Sequence, residues 1–182
     1  ETGRRIQRLV ALFQMTYVGA PMIYYGTEAG MWGADDPDDR KPMVWPDLTY
    51  APESADPLGR PRTPDPVAFD STLFRFYQDV IALRREHEAL RRGAFEVLLA
   101  DEERNMVAFS RTAPGDTLVV VLNRSDEAHS VRIPLPWPLS RRYEPLFLTR
   151  DDSHRVQQDA EALLLELPPR VGLVLQPADE DL

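Results

Sequence analysis

The sequence predicts an α+β chain in which helix, strand and helix precede an all-β antiparallel sandwich. Two segments, 3–17 and 70–92, carry apolar residues at helical spacing, whereas the sequence after Gly93 alternates with a period of 2. Between the two helices lies a short apolar run, followed by a proline-rich stretch with neither period. We therefore divide the chain into residues 1–92 and residues 93–182.

The first helix is predicted from the spacing of apolar residues in GRRIQRLVALFQMTY, residues 3–17. Thr2 is placed to cap its start, and Gly19 and Pro21 are placed to stop it. The apolar side chains that fall on one face, and are expected to be buried, are Ile6, Leu9, Val10, Phe13 and Tyr17.

A buried strand is predicted at 21–26, where PMIYYG combines β-forming residues with a closing Gly26. A strand buried on both faces needs neighbours, and residues 1–92 contain no further run of this kind. We therefore expect an α+β fragment, whose first part completes its core only against protein outside these 182 residues.

A long irregular loop is predicted from Gly30 to about Phe69, because neither period is sustained there; such loops are usually functional or mobile. Asp70 or Ser71 then caps a second helix, and Gly93 ends it after an arginine-rich last turn. The buried stripe of this helix is expected to be Leu73, Phe76, Tyr77, Val80, Ile81 and Leu83.

Seven short strands are predicted after Gly93, separated by turns that carry Asp, Gly, Pro or Asn. Their number and spacing indicate a small antiparallel sandwich. The predicted strands are 94–99, 106–112, 117–123, 129–135, 143–148, 161–167 and 171–176.

Composition excludes several classes of function. A net charge of −9 argues against nucleic acid as a partner, and no run of about 18 apolar residues predicts a membrane span. The absence of cysteine excludes disulfides, zinc–thiolate sites and cysteine nucleophiles. Lys41 is the only lysine, which indicates either a GC-rich genome or adaptation to high salt. No targeting segment is visible, and a cytoplasmic or periplasmic location is favoured.

Residues 19–45, GAPMIYYGTEAGMWGADDPDDRKPMVW, resemble a signature of the α-amylase family of glycoside hydrolases. The part from Gly33 onward looks most like the branch with cyclomaltodextrinases, neopullulanases and maltogenic amylases. This resemblance implies that 21–26 is the eighth strand of a (β/α)8 barrel and that 70–92 is its last helix. Residues 93–182 then correspond to the C-terminal β-sandwich of the family.

The loop after the predicted strand holds the candidate substrate-binding residues, because active sites of such barrels lie at the C-terminal ends of the strands. The resemblance implies that Asp36 and Arg40 bind glucose units on the non-reducing side of the scissile bond. Trp32 offers a flat face on which a sugar ring can stack. Two alternatives stay open: Asp36 and Arg40 pair with each other to hold the loop, and Trp32 and Trp45 pack within the protein.

Other residues near the loop are expected to be structural. Glu28 is predicted to bond backbone or an arginine, Tyr25 to lie in the core, and Gly26 to allow a tight turn. The aspartates of residues 35–39 lack the ligand spacing of a calcium loop, so no metal and no cofactor are predicted.

The resemblance also implies what the chain does not contain. A retaining glycosidase needs a carboxylate nucleophile and a second carboxyl as acid and base, and in this family both follow earlier strands of the barrel. We therefore assign no catalytic residue here and expect the chain alone to be inactive. The parent protein is expected to hydrolyse α-1,4-glucans such as cyclodextrin, maltodextrin or pullulan.

Three further possibilities follow from the same residues. The parent enzyme can instead be an α-glucosidase, an α-amylase or a related isomerase. The β-sandwich can be a non-catalytic carbohydrate-binding or interaction module. The incomplete barrel segment is expected to pair with the remaining N-terminal part of the same barrel or with a second copy of the chain.

Overall fold

The computed structural model describes residues 2–150 and 154–178. The chain divides into two compact units. The sandwich unit consists of Glu1–Pro21 together with Val80–Leu182, and the loop unit consists of Met22–Asp79.

The sandwich unit contains eight strands in the described part of the chain. They are β3 (Ala94–Asp101), β4 (Met106–Ala113), β5 (Asp116–Asn123), β6 (His129–Pro134), β7 (Tyr143–Leu148), β8 (Arg155–Gln158), β9 (Ala162–Leu167) and β10 (Val171–Pro177). They follow two short strands of the loop unit, β1 (Glu53–Ala55) and β2 (Pro61–Asp65). One sheet has the order β3-β4-β5-β10-β7 and the other β6-β9-β8, and every paired neighbour is antiparallel.

The seven strands predicted after Gly93 are confirmed, with ends that differ by at most two residues. The sequence missed β8 (Arg155–Gln158), because four residues that alternate between partial and full exposure leave little apolar signal. This strand pairs with β9 alone, which places it at the edge of its sheet.

The main core lies between the two sheets. Every second residue of each strand contributes its side chain to this core. Val119 and Val121 of β5 thus belong to the same cluster as Leu163 and Leu165 of β9. Two of the three inner strands of the five-stranded sheet, β5 and β10, are buried on both faces, since Leu118–Leu122 and Val171–Leu175 are all buried.

Helices cover the outer face of the five-stranded sheet. α1 (Thr2–Thr16) contacts β5 and β10, and α3 (Glu88–Arg92) contacts β4 and β5. Gly172 permits the close approach of α1, because a Cβ at this position would lie 2.7 Å from Leu12 Cδ2 and 2.8 Å from Leu122 Cδ2. The sandwich unit therefore has three layers, with helices, a five-stranded sheet and a three-stranded sheet.

Two arginines hold the carboxyl end of α1. Arg111 of β4 is 1% exposed and donates to the Thr16 carbonyl oxygen at 2.7 Å, and Arg84 donates to the Met15 carbonyl oxygen at 2.6 Å. Cations near a helix C-terminus satisfy carbonyl groups that have no intrahelical partner. Burial lowers the pKa of both guanidinium groups, and the Arg84 charge lowers the pKa of Arg111 further.

The predicted buried face of α1 is wrong at four of its five positions, since Ile6, Val10, Phe13 and Tyr17 are all more than a third exposed. Ile6 is 38% exposed and Val10 is 57% exposed, whereas the buried residues of α1 are Leu9, Ala11, Leu12, Met15 and Thr16. The helix carries two adjacent apolar stripes, and the sheet under Gly172 covers the stripe that contains Leu12.

Phe13 and Tyr17 lie at the boundary between these two stripes. Each is more than a third exposed, yet Tyr17 packs edge-on against Phe95 with ring centroids 5.0 Å apart, and Phe13 packs edge-on against Phe109 at 6.2 Å. The helix therefore contacts β3 and β4 through aromatic rings as well as β5 and β10 through aliphatic side chains.

The second predicted helix is two helices. Asp70 caps α2 (Ser71–Glu86) by accepting from the Leu73 N–H at 2.9 Å, as expected. The chain turns at His87, which has extended backbone angles, and α3 begins at Glu88. Asp116 stabilises this break, because its carboxylate lies 2.9 Å from His87 Nδ1 and accepts from the Ala89 N–H at 2.8 Å.

The predicted strand at 21–26 is not formed, and this prediction is wrong. Residues 20–24 have no ladder partner, and Met22, Tyr24 and Tyr25 are 76%, 48% and 44% exposed. A strand is stable only when its backbone groups pair with neighbours, and the described chain places no strand beside this segment.

The loop unit contains short regular elements that the sequence missed. A 3-10 helix spans Asp38–Arg40, and β1 (Glu53–Ala55) pairs antiparallel with β2 (Pro61–Asp65). Prolines at both ends of β2 and a length of three residues for β1 obscure any period of 2. None of the helices in the described ranges is long and apolar enough to cross a membrane.

Candidate functional site

The candidate site occupies the loop unit, beginning at the turn after Tyr25. Gly26 has a φ of 81°, and its carbonyl oxygen accepts from the N–H groups of Ala29 at 3.1 Å and Met31 at 2.9 Å. A Cβ on Gly26 would lie 2.3 Å from Met31 Sδ, which belongs to a flexible side chain, so it is the positive φ that favours glycine here. Gly26 thus lies in a tight turn at the start of the candidate loop.

Asp36 and Arg40, the two predicted sugar ligands, pair with each other. Arg40 donates from Nε to Asp36 Oδ1 at 2.6 Å, and its Nη2 contacts the same oxygen. Both side chains are 60% exposed. The hydrogen bond from Arg40 is the main cause that lowers the pKa of Asp36, which keeps this carboxylate ionised.

Trp32 lies beneath two cations. Lys41 Nζ is 3.5 Å from the centroid of its ring and Arg62 Cζ is 5.0 Å from it. Cations over a tryptophan face are attracted by the ring quadrupole. One face of Trp32 is therefore engaged within the protein, although the residue remains 36% exposed.

Two carboxylates and two cations form a network that holds Lys41 and Arg62 near the Trp32 ring. Asp38 accepts from Arg62 Nη2 at 2.8 Å, and its Oδ1 lies 3.3 Å from Lys41 Nζ. Glu53 contacts the same two cations, at 2.9 Å each. Asp38 also accepts from the Ala34 N–H at 2.9 Å, which ties the network to the backbone of the candidate loop.

The network keeps Asp38 ionised. The residue is 7% exposed, yet its hydrogen bonds from Arg62, and then from Ala34 and Lys41, hold its pKa well below the ordinary range against the opposing effect of burial. A general acid needs a raised pKa instead. Asp38 therefore acts as a structural carboxylate, and Glu53 contacts the same two cations.

The remaining predicted residues occupy distinct positions. Tyr25 donates from its hydroxyl to the Lys41 carbonyl oxygen at 2.8 Å, but its ring is exposed and the expectation that it lies in the core is wrong. Glu28 has a buried Oε2 to which no described residue donates. Trp45 is 54% exposed, and its backbone N–H donates to the Tyr50 hydroxyl at 2.7 Å.

The aspartates of the loop face separate partners. Asp36 contacts Arg40, Asp38 contacts Arg62 and Lys41, and no three acidic or histidine side chains of the described residues converge on a point where a metal ion could sit. A small cavity of about 120 Å³ lies beside them, lined by side chains that include Tyr24, Trp32 and Lys41.

Sequence reasoning found the loop but missed the network that shapes it. Glu53 and Arg62 lie on the hairpin β1–β2, which carries no periodic signal, and each is separated from Asp38 by more than a dozen residues. The one residue of this network that stands out in the sequence is Lys41, because it is the only lysine of the chain.

Comparison with known proteins identifies the sandwich unit. Residues 97–178 match the family described as alpha amylase, C-terminal all-beta domain. Cyclomaltodextrinase of Geobacillus thermopakistaniensis (strain MAS1) is 36% identical over 168 residues, which cover 92% of this chain and 24% of that protein. Neopullulanase 2 of Thermoactinomyces vulgaris is also 36% identical over 168 residues, covering 92% of this chain and 25% of that protein.

Solved structures give the same result. A cyclomaltodextrinase structure matches with a TM-score of 0.71 at 30% identity, covering 97% of this chain and 26% of that chain. The chain thus spans about a quarter of the length of the relatives that it matches. Residues 97–178 therefore match the alpha amylase C-terminal all-beta domain, and the chain as a whole resembles the C-terminal part of the cyclomaltodextrinases and neopullulanases of the α-amylase family.

Proposed function

We propose that this chain is part of a retaining glycoside hydrolase that acts on α-1,4-glucans such as cyclodextrin, maltodextrin or pullulan. Residues 1–92 supply the end of its catalytic barrel and one wall of the substrate cleft, and residues 93–182 form its C-terminal domain. The observation that carries this proposal is the 36% identity to a cyclomaltodextrinase over 92% of the chain. An alignment of that extent includes the candidate loop, residues 26–45.

The candidate loop supplies binding groups rather than acid–base catalysis. Its buried carboxylates contact cations, which lowers the pKa of Asp38, whereas a glycosidase acid needs a carboxyl that is protonated near neutral pH. The chain alone therefore does not hydrolyse glucans. Turnover of maltodextrin or cyclodextrin by purified residues 1–182 would contradict this proposal.

The exposed pair Asp36–Arg40 fits the role of a sugar ligand. Both bonds from Arg40 reach Asp36 Oδ1, which leaves Oδ2 to accept from a sugar hydroxyl and Arg40 Nη1 to donate to one. The ion pair fixes the orientation of both side chains, so the remaining donor and acceptor atoms point in defined directions. Such groups can bind sugar hydroxyls that lie in matching positions.

The test is made on the whole protein that contains this chain. We expect Arg40→Gln to reduce kcat/KM for cyclodextrin by about tenfold or more, which corresponds to the loss of one charged hydrogen bond. Arg60→Gln is the matched control, because Arg60 is an exposed arginine of the loop unit that contacts Asp56 with the same spacing. Equal kinetics for the two variants would show that Arg40 does not bind substrate.

A panel of substrates separates the remaining family activities. Preference for cyclodextrin and pullulan over starch supports the proposed branch, whereas preference for maltose or long starch chains identifies an α-glucosidase or an α-amylase.

A second candidate function is non-catalytic carbohydrate binding by the sandwich unit. A cavity of about 250 Å³ is lined by the aromatic residues Trp137 and Tyr143 and by the polar residues Thr112, Thr117, Ser140 and Arg141. Aromatic faces beside hydroxyl and guanidinium groups suit a glucosyl ring. Binding of maltodextrin by residues 1–182 that is abolished by Trp137→Phe, but not by Trp45→Phe, would favour this candidate.

A further inference from the structure

The pair Asp36–Arg40 lies in a short closed segment, residues 33–41, which we call the ligand segment. Its backbone folds back on itself, because a Cβ on Gly33 would lie 2.4 Å from the Asp38 carbonyl oxygen. The 3-10 helix within this segment begins at Asp38 and ends at Arg40, so these two residues share one turn of backbone. The direction of the pair therefore depends on how Asp38 is held.

Asp38 anchors the ligand segment. It is the one buried residue among residues 33–41, at 7% exposure, whereas the side chains of Asp36 and Arg40 are each 60% exposed. Its Oδ2 accepts from the Ala34 N–H at 2.9 Å, which joins the two sides of the segment across Asp36. A buried carboxylate needs hydrogen-bond partners, and those partners fix its direction.

The partner that fixes the direction of Asp38 is Arg62 of the hairpin β1–β2. Arg62 Nη2 donates to Asp38 Oδ1 at 2.8 Å and Arg62 Nη1 to Asp38 Oδ2 at 3.3 Å, so the planar guanidinium faces both carboxylate oxygens. Glu53 on the paired strand holds Arg62 in turn, with Oε1 2.9 Å from Nη2. The hydrogen bond from Arg62 is also the main cause that lowers the pKa of Asp38.

Lys41 does not duplicate this contact, although it also lies near Asp38. Its Nζ is 3.3 Å from Asp38 Oδ1 and 2.9 Å from Glu53 Oε2. An ammonium group is a point charge, whereas a guanidinium is a planar fork that matches both oxygens of a carboxylate. Lys41 therefore offsets negative charge, and Arg62 sets the orientation of the carboxylate.

We propose that Arg62 is a positioning residue for sugar binding, which orients the Asp36–Arg40 pair through Asp38. Among the described residues, its hydrogen bonds and ion pairs go to Asp38 and Glu53, and none goes to the pair. This inference rests on the proposed function, in which the pair binds glucose units. It adds that a hairpin outside the ligand segment determines how well the pair binds them.

The test compares steady-state kinetics on cyclodextrin for variants of the whole protein that contains this chain. We expect Arg62→Gln to raise KM by about threefold to tenfold and to leave kcat within about twofold, because misdirected groups weaken ground-state and transition-state binding alike. Arg60→Gln is the matched control, since Arg60 lies in the turn of the same hairpin, is exposed and contacts Asp56. A fall confined to kcat would indicate less folded enzyme and would contradict the proposal.

The variant Arg62→Lys separates orientation from charge. It keeps a positive charge beside Asp38 but loses the fork that faces both carboxylate oxygens, so its KM should lie within about twofold of that of Arg62→Gln. A KM equal to that of the parent protein would show that charge alone suffices, and it would overturn the proposal.

The double variant Arg40→Gln, Arg62→Gln tests whether Arg62 acts through the pair. Once the pair is broken, the second substitution should change KM by less than about twofold, because residues of one network do not act independently. If the factors of the two single variants multiply, Arg62 acts through another group, such as Trp32, and the proposal is wrong.

The single variants distinguish this inference from the proposed function. If Arg40→Gln weakens substrate binding and Arg62→Gln does not, the pair binds sugar and only the positioning role of Arg62 is rejected. If Arg40→Gln has the kinetics of the parent protein, the sugar-binding role of the pair is rejected, and the inference with it.

Discussion

The two units of this protein are stabilised by different interactions. The sandwich unit has a core of mainly aliphatic side chains between its sheets, and its strands β5 and β10 are buried on both faces. The loop unit has short regular elements before α2, and a buried charged group, Asp38, that bonds Arg62 and the backbone. Apolar burial thus stabilises the first unit, whereas directional polar contacts shape the second.

This difference matches the roles proposed for the two units. Apolar packing is non-directional and tolerates changes at the surface, which suits a supporting domain. Ion pairs and hydrogen bonds fix the directions of particular groups, which suits a surface that contacts a sugar. Regions with few buried apolar contacts also open locally at lower free energy than a core does. Mutations in the two units should therefore have different consequences.

The largest effect is expected from Leu173→Ala in the core of the sandwich unit. Leu173 is 0% exposed, so its truncation should lower the free energy of unfolding by about 2–5 kcal/mol through lost burial and a cavity. Leu58→Ala is the control in the loop unit, where the side chain is 64% exposed and the change should stay within about 0.5 kcal/mol. Denaturant unfolding measures both, and equal losses would remove the proposed distinction between the units.

The next effect concerns the contact between α1 and the sheet. Gly172→Ala should destabilise the sandwich unit by about 1–3 kcal/mol, because the new Cβ would lie 2.7 Å from Leu12 and 2.8 Å from Leu122. Gly3→Ala is the control, since nothing lies within 4 Å of a Cβ there and alanine favours the helix by about 1 kcal/mol. The midpoint of thermal unfolding should thus fall for Gly172→Ala and rise for Gly3→Ala.

In the loop unit, Asp38→Asn should disrupt the network without unfolding the sandwich. The substitution removes the charge that Arg62 and Lys41 share, and both cations are left beside Trp32. We expect faster proteolytic cleavage within residues 30–65 and an unchanged thermal midpoint of the sandwich unit. If the thermal midpoint of the sandwich unit falls as cleavage of the loop unit becomes faster, the network stabilises the whole chain.

The same network predicts how the loop unit responds to acid. Because the folded-state pKa of Asp38 is lowered, its contribution is present above the unfolded pKa of about 4 and is lost as the pH falls through the folded value. Resistance to pepsin within the loop unit should therefore persist to well below pH 4. A transition near pH 4 or above would mean that the Arg62 contact does not lower this pKa.

The smallest effect is expected from the exposed pair Asp36–Arg40. Each side chain is 60% exposed, so solvent screens the interaction and Arg40→Gln should leave the thermal midpoint of the isolated chain unchanged within error. The effect of this variant on substrate kinetics, described above, should be far larger than its effect on stability. A marked loss of stability would assign the pair to holding the loop rather than to binding sugar.

Much of the sandwich unit was predictable from the sequence. The seven strands found by alternation are all present, and Asp70 and Gly93 end the α2–α3 segment as their chemistry indicates. These features depend on residues that are close in the sequence, so local periodicity and capping groups suffice to identify them.

The candidate site was predictable only in part. The turn at Gly26 and the pairing of Asp36 with Arg40 involve near neighbours, and both were among the stated alternatives. The contacts of Asp38 with Glu53 through shared cations, and the cations above Trp32, join segments that no pattern relates. Whether Trp32 or Arg40 binds sugar depends on a ligand and stays a prediction.

The sequence by itself thus determined the all-β sandwich after Gly93, the positions of seven of its strands and the extent of the irregular loop before α2. The tertiary structure alone decided which stripe of α1 is buried, whether residues 21–26 have a strand partner, and which cations meet beside Trp32. The physical reason is that periodicity and capping arise from neighbouring residues, whereas burial and charge clustering depend on which distant segments come into contact.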